Sequence, residues 1–335
     1  MAMDLVKPKK LCEGDNLLIV APASNMDGVP EEAIKRGIKN LEEIGFNVEI
    51  HPSCKGNYKS TSGPPDKRAE VLMNAFRDDS VDGIMCFWGG WNSNDILGFI
   101  DWSILRNNPK VFIGYSDITF LNTVIYEKAG LVNFQGPAFI TFTHDFLMPW
   151  EIEVFKDVLM KPTPRYTLTA SPTYIDDPLF FMHPEKPVEE KHNQGWKIIN
   201  AGTAEGRLIG GHIGTFLTLA GTEYWPDLEG RLLFLEEDES GNPKNFRRLF
   251  RQLDQIGALD VINGLLIGRV PDVAGLKDDL SVGSLVDDIL DGRDYPIVAK
   301  MDIGHTNPIA TIPIGIKAEI STQKKTLTFM EPCVR

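Results

Sequence analysis

Short apolar runs alternate with helix-like segments throughout the first half of the chain, and this alternation constrains the fold more than any other feature. After the run LLIVAPA, the segment PEEAIKRGIKNLEEIG has apolar residues at near-helical spacing and ends at Gly45. Strands separated by helices of this length form βαβ units, so we predict an α/β fold with a doubly wound parallel sheet. Ligands of such sheets bind beyond the carboxyl ends of the strands. The predicted strands are NLLIVAPAS, FNVEIHP, VDGIMCFWGG and KVFIG.

The regular alternation of strand-like and helix-like segments ends after residue 160, and this change divides the chain. Six prolines interrupt residues 161–200, which predicts a Pro-rich linker with room only for short edge strands. We assign residues 1–160 to an N-terminal α/β domain and residues 201–335 to a C-terminal mixed α/β domain. The second domain is predicted from the strands GRLLFLEE, INGLLIGRV, YPIVAKMDIG, KAEIST and KTLTFME and the helices PKNFRRLFRQLDQIG and VGSLVDDILDG.

Acidic residues outnumber basic ones by 47 to 34, and the formal net charge is −13. This balance argues against nucleic acid as the main partner, because phosphate binding needs clustered cations, and against an anionic membrane surface. The apolar run near the start is too short to span a bilayer. The four cysteines lie far apart and form no C-x-x-C motif. We therefore expect a cytoplasmic protein without a disulfide framework.

A serine and an acid occupy the bend in KVFIGYSDITF, between a predicted strand and a predicted helix. On a sharp turn the Ser116 hydroxyl would be exposed, and the first N–H groups of the helix would face the reacting oxygen. The G-x-S-x-G pattern of hydrolase turns is only half present, because Ile118 replaces the second glycine. The alternative is that Ser116 or Asp117 merely caps the helix, which is worth about 1 kcal/mol. This stretch alone leaves both interpretations open.

The segment WGGWNSN follows another buried strand and predicts a second feature at the same edge of the sheet. Gly89 and Gly90 would let backbone amides approach a ligand closely. Trp91, Asn92 and Ser93 are candidate substrate-binding residues because they add aromatic and hydrogen-bonding groups. The alternative is an ordinary turn into the next helix.

Two acidic residues, Glu236 and Glu237, end the apolar strand LLFLEE. Acids at a strand end are often only solvated, but one that points inward can orient a histidine. Of the six histidines, only His305 follows an apolar strand and lies in a Gly/Asn/Pro turn, whereas His212 lies at a predicted helix start. No H-E-x-x-H, G-x-G-x-x-G or Walker A motif occurs, so we expect no metal and no organic cofactor.

The order of these motifs resembles the serine peptidase family of LD-carboxypeptidases, which includes the microcin C self-immunity peptidases. The resemblance runs from about Leu17 to Gly315, nearly the whole chain. It is carried by APAS, DKRAEVLMNAF, DGIMCFWGGWNSNDIL, IGYSDIT, AEGRLIGGHIGTFLTLAGTEYWPDLEGRLLFLEE and DIGHTNP…TIPIG.

This resemblance implies Ser116 as the nucleophile, His305 as the general base and a glutamate as the third member of a triad. Aligning the apolar run with its acid assigns that glutamate to Glu236, although Glu237 leaves the register uncertain by one. The two side chains alternate along the strand, so only one can reach His305. The oxyanion hole would be the backbone N–H groups of Asp117 and of Gly89 or Gly90.

The stretch FWGGWNSN looks closer to the microcin-immunity branch, since murein-trimming members usually carry an arginine before the glycine pair. That branch presents an aromatic residue to a nucleobase, a role that Trp196 in NQGWKIINAG would fill. The alternative for Trp196 is hydrophobic anchoring of the linker. The resemblance implies a murein tetrapeptide or an aminoacyl-nucleotide amide as substrate, and a homodimer.

Two other interpretations remain open from the sequence. A binding protein would use the same cleft to hold a peptide or nucleotide without cutting it. An esterase of the α/β-hydrolase fold would share the order Ser, Glu, His along the chain, but the missing second glycine and the late second domain disfavour it.

Overall fold

The computed structural model describes residues 4–177, 188–276 and 281–335. In these ranges no helix has the length and apolar character needed to cross a membrane. The nine described α-helices are α1 (Glu31–Ile44), α2 (Pro65–Arg77), α3 (Trp102–Asn107), α4 (Thr119–Val124), α5 (Pro149–Leu159), α6 (Ile213–Thr218), α7 (Pro243–Gln255), α8 (Ala258–Val261) and α9 (Val282–Leu290). The first eight strands are β1 (Asn16–Val20), β2 (Asn47–Ile50), β3 (Gly83–Cys86), β4 (Val111–Gly114), β5 (Asn133–Gln135), β6 (Tyr166–Leu168), β7 (Thr173–Ile175) and β8 (Glu190–His192). The other eight are β9 (Lys197–Asn200), β10 (Thr203–His212), β11 (Leu232–Glu236), β12 (Gly264–Gly268), β13 (Ile297–Met301), β14 (Ile312–Ile314), β15 (Lys317–Ser321) and β16 (Thr326–Phe329).

The first sheet has the strand order β14-β5-β4-β3-β1-β2, and its strands β1 to β5 are parallel. This confirms the predicted α/β fold with a parallel sheet. Strands β3 and β4 are buried along their whole length, as their continuous apolar sequences require. Because β3 and β4 are parallel neighbours, the WGGWNSN segment and the Ser116 turn begin at the same edge of the sheet.

The second sheet is mixed and has the order β6-β16-β15-β10-β11-β12-β13-β9. Strands β10 to β13 are parallel to one another, and the flanking strands are antiparallel. All five strands predicted for this domain form, as do both predicted helices. The central strand β10 was not predicted, because glycines in its sequence weaken the strand signal.

The glycines of β10 have a structural reason that only the packing reveals. A Cβ on Gly210 would lie 1.8 Å from the carbonyl oxygen of Phe234 in β11, and one on Gly211 would lie 2.3 Å from Oγ1 of Thr119. The backbone N–H of His212 donates to the same Thr119 oxygen at 2.9 Å. The end of β10 therefore touches the start of α4, which brings the second sheet against the helix that follows Ser116.

The segment 161–200 is more than a linker between two domains. It contributes β6 and β9, the two edge strands of the second sheet, as well as the two-stranded ribbon β7-β8. The chain also returns to the first sheet late, since β14 pairs antiparallel with β5. One cluster of buried side chains includes Phe134 from the first sheet and Phe234 from the second, so the two sheets share a core. Prolines 178, 184 and 187 of the predicted linker lie outside the described residues.

Candidate active site

Ser116 lies on a strained turn directly after strand β4. Its φ is 65°, in the left-handed region that a residue with a side chain rarely adopts, and such strain costs about 1–3 kcal/mol. A 3₁₀ turn from Ser116 to Ile118 leads into α4, and neither the turn nor α4 begins with a side-chain cap. The helix-capping alternative for Ser116 and Asp117 therefore finds no support in the structure. A sharp strand-to-helix turn with a positive φ is the geometry that exposes a nucleophile.

The glycine turn after β3 packs against Ser116. A Cβ on Gly89 would lie 2.7 Å from Cβ of Ser116 and 3.1 Å from the backbone nitrogen of Asp117. Gly90 has a φ of 150°, and a Cβ there would lie 2.4 Å from Oγ of Ser24. Only glycine leaves room for the two turns to meet. The backbone around Gly89 and the N–H of Asp117 consequently lie beside the serine.

The side chain of Asp117 holds these two turns together. Its carboxylate accepts hydrogen bonds from the backbone N–H groups of Asn92 at 3.1 Å and Ser93 at 2.8 Å. The Ser93 hydroxyl donates in return to the backbone oxygen of Asp117 at 2.7 Å. Asp117 is 2% exposed, so these bonds satisfy a buried carboxylate.

His305 is paired with Glu236. Its Nδ1 lies 2.7 Å from Oε2 of Glu236, and the Glu236 side chain is fully buried at the end of β11. Two glycines make room for the carboxylate, because a Cβ on Gly304 would lie 2.7 Å from Oε2 and one on Gly268 would lie 2.9 Å from Cβ of Glu236. Glu236, not Glu237, is therefore the acid beside this imidazole.

The environment of His305 favours its protonated form. Burial lowers the pKa of His305, but the charge and hydrogen bond of Glu236 outweigh burial, and the pKa lies above its ordinary value. The Tyr115 ring packs against the imidazole with 5.0 Å between ring centroids. A histidine held by a buried carboxylate keeps one orientation and one tautomer, as a general base requires.

A second histidine lies next to the first. Nδ1 of His212 lies 2.9 Å from the Thr215 hydroxyl and 3.3 Å from the Thr215 backbone nitrogen, at the start of α6 where the sequence predicted a helix start. Its Nε2 lies 2.9 Å from Oε1 of Glu237 and 3.5 Å from Oδ2 of Asp238, and its ring centroid is 5.8 Å from that of His305. Burial lowers the pKa of His212, but the hydrogen bond to Glu237 and the surrounding acids raise it to about 9.

These three side chains are also the one group of potential metal ligands among the described residues, with ligand atoms of His212, Glu237 and Asp238 within 4.8 Å of one another. Their short contacts are those of an ion pair between the imidazole and the two carboxylates. We therefore interpret the group as a charge network beside His305.

The loop that carries His305 is held at both of its ends by buried hydrogen-bonding groups. At its start Asp302, 2% exposed, accepts hydrogen bonds from the Ser171 backbone N–H at 3.0 Å, from Asn193 Nδ2 at 3.0 Å and from Trp196 Nε1 at 3.2 Å. All three donors belong to the segment that the sequence predicted as a linker. The linker therefore helps to position the histidine.

At the other end of this loop, Glu151 of α5 accepts a hydrogen bond from the backbone N–H of Ile309 at 2.6 Å. Burial raises the pKa of Glu151 to about 8, although the hydrogen bond opposes this shift. Helix α5 belongs to the N-terminal part of the chain, so this bond ties the His305 loop across the two sheets.

Ser116 and His305 line the same cavity, which has a volume of about 270 Å³. Aromatic side chains and acids form much of its remaining wall, namely Trp88, Trp91, Tyr115, Asp238 and Glu239. Trp91 is 79% exposed at this cavity. A serine and a carboxylate-held histidine in one cavity are the groups that catalysis by a nucleophilic serine requires.

Two of the predicted substrate-binding residues are corrected by the structure. Ser93 is fully buried and its hydroxyl serves Asp117, so it is not available to a substrate. Trp196 is 3% exposed, directly precedes β9 and donates to Asp302, so its indole is not presented to a nucleobase. The alternative of hydrophobic anchoring is the correct one for Trp196. Asn92 faces Asp117 through its backbone, and Trp91 lines the cavity.

Several residues of this site were missed by the sequence reasoning. Trp88 and Ser24 lie within the motifs WGGWNSN and APAS, which the sequence analysis considers. The acids that follow Glu236 in LEEDES indicate a charged strand end. Glu151 and Asp302 lie in segments with no motif. Their buried hydrogen bonds arise from packing and leave no local signal in the sequence.

Comparison with known proteins identifies the family. The chain matches the model of the LD-carboxypeptidase N-terminal domain over residues 17–136 and that of the C-terminal domain over residues 205–320. The chain thus belongs to the LD-carboxypeptidase family, peptidase family S66, and the α/β-hydrolase alternative is wrong. A "Probable murein peptide carboxypeptidase" of Bacillus subtilis is 32% identical, over 96% of this chain and 93% of that protein. The "Microcin C7 self-immunity protein MccF" of Escherichia coli is 29% identical, over 96% of this chain and 94% of that protein.

Solved structures agree with this membership. The MccF-like protein from Bacillus anthracis superimposes with a TM-score of 0.90 at 33% identity, covering 97% of this chain and 99% of that one. MccF in complex with aspartyl sulfamoyl adenosine superimposes with a TM-score of 0.91 at 27% identity, covering 98% of this chain and all of that one. Relatives named carboxypeptidases support a peptidase.

Proposed function

We propose that the protein is a serine carboxypeptidase-like hydrolase that cuts a terminal amide bond in a small peptide or aminoacyl-nucleotide by a triad of Ser116, His305 and Glu236. The observation that carries this proposal is the cavity that Ser116, on its strained turn, shares with the Glu236–His305 pair. Membership of the LD-carboxypeptidase family supports this proposal, because Ser116, Glu236 and His305 lie in the sequence motifs that resemble this family.

In the proposed mechanism, His305 removes the proton from Oγ of Ser116 as that oxygen attacks the carbonyl carbon. The backbone N–H groups of Asp117 and of Gly89 or Gly90 stabilise the oxyanion. His305 then gives the proton to the leaving amine, and the bond to the amine breaks. Water, deprotonated by His305, then attacks the acyl-enzyme, the ester bond to Oγ of Ser116 breaks, and His305 returns the proton to Oγ as the acid leaves. Glu236 stabilises the imidazolium that forms twice in this cycle.

Two substrate classes fit this chemistry. Relatives are named as murein peptide or murein tetrapeptide carboxypeptidases, which favours a murein stem peptide. MccF structures contain aspartyl sulfamoyl adenosine and glutamyl sulfamoyl guanosine, which favours an aminoacyl-nucleotide amide. We propose that one of these classes is the substrate, without a metal or organic cofactor.

Covalent trapping tests the nucleophile. A fluorophosphonate probe should label Ser116, and Ser116→Ala should abolish labelling and lower turnover by about 10⁴–10⁶-fold with folding intact. Ser103→Ala, at an exposed serine of α3, is the matched control and should keep both. A folded wild-type protein that is never labelled, and that binds a peptide or nucleotide without cutting it, would establish the binding-protein alternative.

A substrate panel tests the leaving group. Murein tetrapeptide and the aspartyl and glutamyl amides of adenosine are compared by release of D-alanine or of the nucleotide. We also propose a cytoplasmic homodimer, as the family resemblance implies. Size-exclusion chromatography with light scattering tests the dimer, and a monomeric mass at working concentration would contradict it.

A further inference from the structure

Arg68 in helix α2 is a buried arginine that takes no part in the proposed chemistry. Only 3% of it is exposed, and its one ion pair among the described residues is with Asp95, whose Oδ2 lies 3.3 Å from Nη2. The other buried residues of α2 are apolar, namely Ala69, Leu72, Ala75 and Phe76. An ion pair with a buried member is weak evidence for stability, because apolar residues of similar volume often stabilise as well. Stability alone therefore does not account for an arginine on this face.

The guanidinium of Arg68 donates to backbone oxygens of three different loops. Nη1 lies 2.7 Å from the oxygen of Pro22 and 3.0 Å from that of Asn92, and Nε lies 2.9 Å from that of Gly63. The first loop follows β1, the second is the WGGWNSN segment, and the third precedes α2. A planar fork of donors can reach all three oxygens at once, whereas a lysine ammonium on its flexible stem is a single point charge. Arg68 therefore fixes the three loops relative to one another.

One of these bonds connects Arg68 to the turn of the proposed nucleophile. The backbone of Asn92 is bonded on both sides, since its oxygen accepts from Arg68 while its N–H donates to the Asp117 carboxylate at 3.1 Å. Asp117 directly follows Ser116, and its backbone N–H is one of the proposed oxyanion donors. A single residue thus separates Arg68 from the residue that carries this donor.

A second bond connects Arg68 to the glycine pair, the other proposed source of an oxyanion donor. The loop of Pro22 continues to Ser24, whose backbone N–H donates to the backbone oxygen of Gly89 at 3.2 Å. A Cβ on Gly90 would lie 2.9 Å from the backbone nitrogen of Ser24, so the two loops are in close contact. A shift of the Pro22 loop would consequently move the glycine pair as well.

We infer that Arg68 is a positioning residue of the hydrolase, which holds the two segments of the oxyanion hole at the spacing that the transition state requires. The inference rests on the proposed function and adds to it a residue that does not line the Ser116 cavity. A displacement of about 1 Å at such a site can cost about 10²-fold in rate. Because the oxyanion forms only as the bond is cut, loss of Arg68 should lower kcat and leave KM nearly unchanged.

Arg68→Lys tests this inference, because it keeps the charge and loses the fork. On the panel substrate that the wild type cuts, we expect kcat to fall by about 10²-fold with KM within about threefold, at a temperature well below the Tm of the variant. Labelling by the fluorophosphonate probe should slow by a similar factor. Arg77→Lys, the same change at an exposed arginine of α2, is the matched control and should keep both rates.

A second variant keeps the test valid if Arg68→Lys does not fold. Asp95→Asn removes the carboxylate partner of Arg68 at a half-exposed position, and it should lower kcat by about threefold to tenfold without a change in KM. Unchanged kcat in Arg68→Lys, or in Asp95→Asn where Arg68→Lys is unfolded, would overturn the inference. A rise in KM that accounts for the whole loss of kcat/KM would do the same.

Chemical rescue separates positioning from a contribution to stability alone. Arg68→Ala leaves space for a free guanidinium ion, so millimolar guanidinium chloride should raise its kcat by about tenfold or more, whereas sodium chloride should not. Arg68→Leu fills the same space and should show no recovery. Equal responses of the two variants to guanidinium would overturn the inference. A wild type with neither turnover nor labelling would instead overturn the hydrolase function itself.

Discussion

The Ser116 turn and the His305 loop face each other across one cavity, yet they are held in opposite ways. The Ser116 turn is held by neighbours in the first sheet, since Gly89 and the Asp117–Ser93 bonds all lie within 30 residues of it. The His305 loop is held by Glu236, Glu151 and the donors to Asp302, which are separated from it by many more residues. The proposed nucleophile is therefore built locally, and the proposed base is built by tertiary contacts.

The difference has an energetic consequence. The first region stores strain at one backbone position and packs that position closely against a glycine turn. The second region depends on buried carboxylates, each of which is stable only while its partners are present. Damage to the first region should therefore affect chemistry more than folding, whereas damage to the second should affect both.

The largest expected effect distinguishes the two adjacent acids. Glu236→Gln removes the charge that stabilises the imidazolium of His305, and we expect kcat/KM to fall by about 10³–10⁴-fold. Glu237→Gln changes only the partner of His212 and should lower kcat/KM by less than about tenfold. Steady-state kinetics on the hydrolysed substrate measures both. Equal losses in the two variants would contradict the pairing of Glu236 with His305.

The next effect tests the local construction of the nucleophile. Gly89→Ala places a methyl group 2.7 Å from Cβ of Ser116, and we expect about a 10²-fold loss of turnover, with a fall in Tm that corresponds to about 1–3 kcal/mol of overpacking. Gly98→Ala is the matched control, since the nearest atom to its added Cβ lies 4.0 Å away. Full activity in Gly89→Ala would mean that the two turns do not need their close contact.

A stability measurement tests the tertiary construction of the base. Glu151→Ala leaves the buried Ile309 N–H without its acceptor and should lower the free energy of unfolding by about 1–3 kcal/mol. Glu151→Gln keeps an acceptor oxygen and should be destabilised less. The pKa of the Glu151 carboxyl is about 8 in the folded state and its ordinary 4.5 in the unfolded state. The folded state therefore holds the proton more tightly, and the contribution of this group to stability falls as pH rises from 4.5 to 8. Thermal unfolding from pH 5 to 8 should therefore show a weaker decline in Glu151→Gln than in the wild type.

The smallest expected effect concerns the charge network. The wild-type kcat/KM should rise with pH as His305 loses its proton, with a midpoint above the ordinary histidine pKa. The charge of His212 lowers the pKa of His305, so His212→Gln should move the midpoint of this rise to higher pH. The charge of Glu236 raises that pKa, so Glu236→Gln should move the midpoint to lower pH. Shifts of the midpoint in the same direction in both variants would show that the rise of kcat/KM with pH reflects the ionisation of a group other than His305.

Much of the fold was predictable because its strands carry continuous apolar runs and its helices carry periodic ones. The parallel sheet, both predicted helices of the second domain and the turn at Ser116 followed from such local patterns. The strand β10 did not, because its glycines are required by Phe234 and Thr119, which no local pattern reveals. The sequence likewise does not reveal that Trp196 is buried, since its partner Asp302 lies 106 residues away.

The amino-acid sequence by itself determined the α/β architecture and the family, and it supplied the proposal of a serine, a histidine and one of two adjacent acids as site residues. Tertiary structure alone decided which acid meets His305, that the predicted linker holds its loop, and that Asp238 and Glu239 face the cavity. Apolar periodicity is a local property that the chain displays along its length. The burial and pairing of a charge depend on residues brought together from distant positions, so they exist only after the two sheets have packed.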